Sequence, residues 1–163
     1  ILVIISKKYM KLDQTDKKIL KLLQNDATLQ LSEIASSVGL SATPCWRRIQ
    51  KLEQAGIIRK RVALLNENLI NAGVAVFVSI QTTNHTPKWL QEFSAVLTNL
   101  PEVMEVYRLS GATDYLLRVV VPSVEHYDNF YKKISRMIPD SHISSSFAME
   151  CIKSTTALPL DYV

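Results

Sequence analysis

The run Leu31, Ile34, Ala35, Val38, followed at once by Gly39, Leu40 and Ser41, constrains this chain more than any other feature. Apolar residues at i, i+3, i+4 and i+7 give a short helix one oily face. A glycine directly after them stops that helix, because it accepts the left-handed backbone of a helix C-terminus. Ser41 then offers a hydroxyl as the cap of a further helix, expected to run to about Ala55 before Gly56 ends it. An earlier helix is marked by Asp13 as N-cap, Asp16 near the positive end of the helix dipole, and Ile19, Leu20 and Leu23 at helical spacing. Helices joined by so tight a turn form a helix-turn-helix. Spacing alone leaves open a purely structural three-helix bundle.

The third helix and the charge distribution argue for a polyanion partner. On a 100° wheel Cys45, Ile49 and Leu52 cluster on one side and should face the first two helices. Thr43, Arg47, Gln50, Lys51 and Gln54 fall on the other side, with Trp46 and Arg48 at the boundary. Arg donates bidentately to guanine and Gln pairs with adenine edges, so this face suits a major groove. The helix start, Ser41, Ala42, Thr43 and on to Arg47, is expected to reach base edges first. Arg48 and Lys51 suit phosphates, which fix register without reading sequence. Trp46 is expected to be a partly buried packing residue, and Cys45 a small core residue. Up to Val62 the chain has 12 Lys and Arg against 5 Asp and Glu, and beyond it 7 against 10. The net charge of +4 therefore conceals a basic front and a mildly acidic remainder, and the front is the part expected to meet double-stranded DNA.

Beyond Gly56 the pattern changes period. Residues 57–65 are β-branched and basic, then apolar, and read as a strand or short linker. From Val74 the order becomes strand, helix, strand, strand, helix, strand: strands over 74–83, 103–110, 115–121 and 143–153, a helical stripe of Trp89, Leu90, Phe93 and Leu97, and a second from Tyr127 to Ile138. This βαββαβ order predicts an α+β, ferredoxin-like domain with helices over one face of a sheet. Ala75, Phe77 and Ser79 alternate with Val76, Val78 and Ile80, so the uncovered face also carries apolar groups. Such a face predicts a second copy of the chain, most simply a twofold dimer. The domains expected are 10–58 for the helix-turn-helix, 59–73 for a linker with a strand, and 74–163 for the effector and oligomerisation domain. Met10 stands just before the first helix signal, and residues 1–9 read as an extension, of vector or upstream origin, outside the fold.

Other classes find little support. No apolar run approaches the roughly 20 residues that span a bilayer, so no membrane partner is expected. Cys45 and Cys151 lie far apart and suit free thiols in a reducing cytoplasm. His85, His126 and His142 have no metal-ligand spacing with one another or with the cysteines, and no phosphate loop or nucleophile motif is present. No enzyme activity, metal or cofactor is expected. Glu102, Glu105 and Asp114 near the middle strands are expected to be solvated carboxylates.

These residues together resemble the leucine-responsive/asparagine-regulator (Lrp/AsnC) family of prokaryotic transcription regulators, over nearly the whole chain from Leu12. The resemblance is carried by Leu12-Asp13 with Asp16, Ile19 and Leu20; by Val38-Gly39-Leu40-Ser41 leading to Thr43-Pro44-Cys45 and Arg48; by Leu52-Glu53 with Gly56-Ile57-Ile58; by Ala63-Leu64-Leu65; and by Ser110-Gly111 with Asp114-Tyr115-Leu116-Leu117. Gln30 departs from the pattern, since the family often caps its second helix with Ser there. The resemblance implies a winged-type helix-turn-helix, a linker strand near Val62 to Leu65, and a ferredoxin-like effector domain. It further implies homodimers that often assemble to octamers, and an amino-acid effector held near the turn between the second and third strands of the sheet. Carried over by position, that turn is Gly111, Ala112, Thr113, Asp114 and Tyr115. Gly111 would let a ligand approach the backbone, Thr113 offers a hydroxyl and Asp114 can pair with an α-ammonium. Gly111 and Asp114 are equally the residues that a plain hairpin turn uses. The stretches from Thr43 to Arg48 and from Ser145 to Glu150, with Ile152-Lys153, look like the family branch that includes cysteine-responsive activators, which makes cysteine the first effector to consider.

Overall fold

Asp13 begins the first helix with a reciprocal pair of hydrogen bonds: its carboxylate accepts from the Asp16 N–H at 2.8 Å, and the Asp16 carboxylate accepts from the Asp13 N–H at 3.3 Å. The computed structural model describes residues 10–163, and the extension at 1–9 lies outside the described residues. The chain divides into two units, one holding residues up to Leu64 together with Lys153–Val163, the other Leu65–Ile152.

The first unit is built on α1 (Gln14–Asn25), α2 (Leu31–Ser37) and α3 (Ala42–Gln54). At the start of α2 the Glu33 side chain reaches back to the Gln30 N–H at 2.8 Å, so the helix start is held without a Ser cap. Gly39 ends α2 at φ 72°, which lets the Leu40 N–H return to the Ala35 carbonyl at 2.9 Å. Ile19, Ile34, Cys45 and Leu52 close the core at 0–2% exposure. Leu160 packs against that same core, and Gln24 exchanges two hydrogen bonds with the Leu158 backbone. The segment Lys153–Val163, expected with the effector domain, thus groups with the helices.

The second unit is the expected split βαβ. Its strands are β1 (Val74–Thr82), β2 (Val103–Arg108), β3 (Tyr115–Val121) and β4 (Ser141–Phe147), with α4 (Pro87–Thr98) and α5 (Val124–Met137) between them. They form one antiparallel sheet of order β2-β3-β1-β4. Val76, Val78, Ile80, Leu117, Val119 and Val121 are buried beneath Phe93, Leu97, Phe130 and Ile134 of the helices. Each such fully buried side chain contributes about 1.5–3 kcal/mol. The opposite face carries Phe77, Leu116 and Tyr107 with no helix over it among the described residues, and Phe77 and Tyr107 are 41% and 51% exposed.

Two expectations change. Between Arg59 and Gly73 no strand forms among the described residues; the segment is extended and then makes a 3-10 turn over Glu67–Ile70. A strand needs a partner ladder, and within a single copy this stretch has none. The last strand stops at Phe147 rather than running on toward Lys153, because its partner β1 offers only Val74 and Ala75 beyond the Val76–Phe147 pair, and the Ala148 N–H takes the Ala75 carbonyl as the final rung.

Candidate nucleic-acid interface and effector turn

Helix α3 sorts its residues as its periodicity requires. Cys45, Ile49 and Leu52 are buried, at 0%, 4% and 0% exposure. Burial pushes the Cys45 thiol above its ordinary range, which fits an inert core position. Ser41, Ala42, Thr43, Arg47 and Lys51 are all exposed. Neither Arg47 nor Lys51 takes part in an ion pair among the described residues, and the same is true of Arg59 and Lys60 just past the helix. Trp46, expected to pack, is half exposed.

Arg48 differs from its expected role. Its Nη1 lies 2.6 Å from the Asp13 carboxylate and 2.7 Å from that of Asp16, so the guanidinium ties the start of α1 to the middle of α3. The backbone N–H of Asp16, and then Arg48, hold the Asp13 carboxyl below the usual carboxylate range, and the two carboxylates raise Arg48 in turn. A cation already matched by two carboxylates has little charge left for a phosphate. Arg48 therefore belongs to the fold of the head rather than to its outer face. Gln50 is likewise half-buried and donates to Glu53 at 2.9 Å, and Arg61 donates to the other Glu53 oxygen at 3.0 Å. Glu53, named in the sequence only as part of the Leu52-Glu53 motif, is thus the hub that holds the end of α3 to the outgoing chain.

The turn at Gly111 to Asp114, expected to meet the effector, is more committed to its own fold. Gly111 takes φ 129°, and the space where a Cβ would project is open. The Gln81 side chain donates to the Ala112 carbonyl at 2.6 Å, a contact no local pattern announces. The Asp114 carboxylate accepts from the Thr82 N–H at 2.8 Å, with His85 Nε2 3.9 Å from its other oxygen. Tyr115 is 3% exposed and faces the helices, its ring 4.7 Å from Phe93 and 6.0 Å from Trp89 between centroids. Its side chain is core, because β3 alternates and position 115 falls on the helix side. Gly111, Ala112 and Thr113 remain as the accessible part of the turn. Glu102 also departs from expectation: its Oε2 is buried with no hydrogen-bond partner among the described residues.

A three-helix head with an exposed, cationic second helix of its helix-turn-helix, joined in one chain to a ferredoxin-like unit, defines a DNA-binding regulator with a separate ligand-binding module. The comparisons agree: residues 12–59 match the winged helix-turn-helix DNA-binding family and residues 75–158 the Lrp/AsnC ligand binding domain. The chain belongs to the Lrp/AsnC family of transcriptional regulators. It is 46% identical over 151 residues to the DNA-binding transcriptional activator DecR of Escherichia coli, covering 92% of this chain and 99% of DecR. The crystal structure of an AsnC family transcriptional regulator from Agrobacterium tumefaciens superposes with a TM-score of 0.90 at 56% identity, covering 93% of this chain and 99% of that one. A transcriptional regulator from Neisseria meningitidis, in complex with L-Met, gives 0.87 at 35% identity over 93% and 99% of the two chains. Among the described residues no helix is long and apolar enough to cross a membrane.

Proposed function

We propose that this regulator reads a specific operator through the start and outer face of α3, and that a small amino acid modulates its DNA affinity or assembly. Thr43 and Arg47 take the base-edge roles, with Ser41 and Ala42 at the helix start close to the backbone. Lys51 takes a phosphate, and half-exposed Trp46 flanks the contact. The observation that carries the reading is the division of α3: one side closes the head core while Thr43, Arg47 and Lys51 stand exposed, with no ion pair to Arg47 or Lys51 among the described residues. Such a regulator acts by binding, and no reaction is assigned to it. Its setting is the cytoplasm.

The amino acid is placed against Gly111, Ala112 and Thr113, with Asp114 lending charge from beside the turn. L-cysteine is the first candidate, supported by the resemblance of the Thr43 to Arg48 and Ser145 to Lys153 segments to the cysteine-responsive branch. The open face of the sheet, with Phe77 and Tyr107 exposed, supports a homodimer, and assembly of four such dimers into an octamer follows the family pattern.

Titrating salt against specific and random duplexes tests the DNA reading. A regulator shows a log–log slope of about −0.9 per phosphate contact and a specificity gap of at least ~10³. Equal affinity for both duplexes points instead to an architectural protein, and negligible affinity for either refutes the reading. Thermal-shift screening with the twenty amino acids tests the effector, since a ligand of the folded state raises the melting temperature by mass action.

A further inference from the structure

On the helix side of the effector unit, α4 does not fully cover the edge strand β2. Val106 pairs with Leu117 and faces the same layer, yet Leu117 is 0% exposed and Val106 is 41%. The space between is a groove of about 240 Å³. Its walls are Leu90, Phe93 and Leu97 of α4, Val106 of β2 and Tyr115 of β3. Arg108, paired in register with Tyr115, also lines it and takes part in no ion pair among the described residues. Ser94 and Thr98 supply hydroxyls, and the Thr98 hydroxyl is already donated to the carbonyls of Ser94 and Ala95. Among the described residues no carboxylate lines the groove.

We propose that this groove is a second ligand site, for a small apolar monocarboxylate that carries no ammonium group, such as a branched 2-oxo acid. A guanidinium beside apolar walls is the arrangement that takes a carboxylate through paired N–H donors while its tail leaves water. An α-amino acid fits less well: its ammonium would enter an apolar groove with one cation and no anion to balance it. The volume suits a metabolite rather than a long acyl chain. This site lies on the opposite side of the sheet from the open face, and its charged group is Arg108 rather than the Gly111 to Asp114 turn proposed for the amino acid. A chain with both sites would read an amino acid and the class of acid that its deamination yields.

Isothermal titration of the full chain with 4-methyl-2-oxopentanoate tests this, with L-leucine as the ammonium-bearing counterpart. The expected result is saturable binding of the oxo acid that weakens about tenfold or more in R108Q, the loss of one charge-assisted pair. D114N should leave that binding unchanged, which separates this site from the turn. L-leucine should show no R108-dependent binding. If R108Q loses its native circular-dichroism spectrum, V106W, which fills the groove from its exposed side, gives the same readout. Absence of oxo-acid binding to the folded chain, or binding that survives both R108Q and V106W, overturns the proposal. Altered sedimentation of either variant with oxo-acid binding intact would assign the groove to contacts between copies and overturn it equally.

Discussion

The outer face of α3 and the turn between β2 and β3 are both expected from the sequence to meet a ligand, yet the fold treats them differently. On α3 the polar groups proposed to meet a ligand stay free: Thr43, Arg47 and Lys51 are exposed, and neither cation makes an ion pair among the described residues. At the turn, Asp114 accepts from Thr82, Ala112 accepts from Gln81, and Tyr115 is buried against Phe93. A helix satisfies its own backbone, so its outward side chains are left for a partner. A hairpin turn leaves backbone groups that neighbouring side chains must satisfy. The difference predicts a regulator whose DNA contacts can be removed without unfolding the head, and whose effector turn resists a clean separation of binding from structure.

The largest effect that sharpens this contrast lies beneath the reading face. Leu52 is fully buried, so Leu52→Ala should cost about 2–5 kcal/mol of head stability by calorimetry or denaturant titration. DNA affinity would then fall only through loss of folded head. A loss of DNA binding with an unchanged melting curve would contradict the orientation of α3. On the outer side the reverse is expected: Arg47→Ala should weaken specific binding by about 1–3 kcal/mol and leave the melting temperature where it was. Equal loss on random DNA would reassign Arg47 to a phosphate.

Arg48 stands between these cases. Arg48→Ala leaves Asp13 and Asp16 facing each other without their shared cation. Solvent screening at these partly exposed groups keeps the loss of head stability well below that expected for Leu52→Ala. The pH dependence has a definite sign. The folded-state carboxyl of Asp13 titrates below its ordinary value, so its contribution is complete above the ordinary carboxylate range and is lost as pH falls through the lowered one. The gap between the melting temperatures of wild type and Arg48→Ala should therefore narrow as pH falls below the ordinary carboxylate range. A gap that stays constant with pH would show that packing of the Arg48 stem, not its charge, is what the substitution removes.

How far the sequence carried differs between the two regions for the same reason. The buried stripe Cys45, Ile49 and Leu52 follows from 3.6-residue periodicity, and the strand alternation of Val76, Val78 and Ile80 from a period of two; both are local signals. Arg48, at the boundary of the wheel, reads as a free cation suited to a phosphate because its partners, Asp13 and Asp16, lie 35 and 32 positions away. Leu160 joins the head core, and Gln24 meets Leu158 across 134 positions, so the destination of the C-terminal segment had no local signature. The stretch after Gly56 has the β-branched composition of a strand, but pairing is a property of two segments, and the second is absent from a single copy.

The smallest effect asks whether the turn has any charge to spare. The Asp114 carboxylate spends one oxygen on the Thr82 N–H and leaves the other 3.9 Å from His85. Asp114→Asn keeps a carbonyl oxygen that can accept the Thr82 N–H, so stability should fall by less than a typical lost hydrogen bond, about 0.5 kcal/mol or below, and the melting temperature should barely move. The substitution removes the negative charge that an α-ammonium would need. If the amino acid sits against the turn with Asp114 lending its charge, its affinity should drop about tenfold while the fold barely responds. If both affinity and melting stay within error, Asp114 is only the latch of the hairpin, and the contrast with α3 is complete: one region free to bind, the other holding itself together.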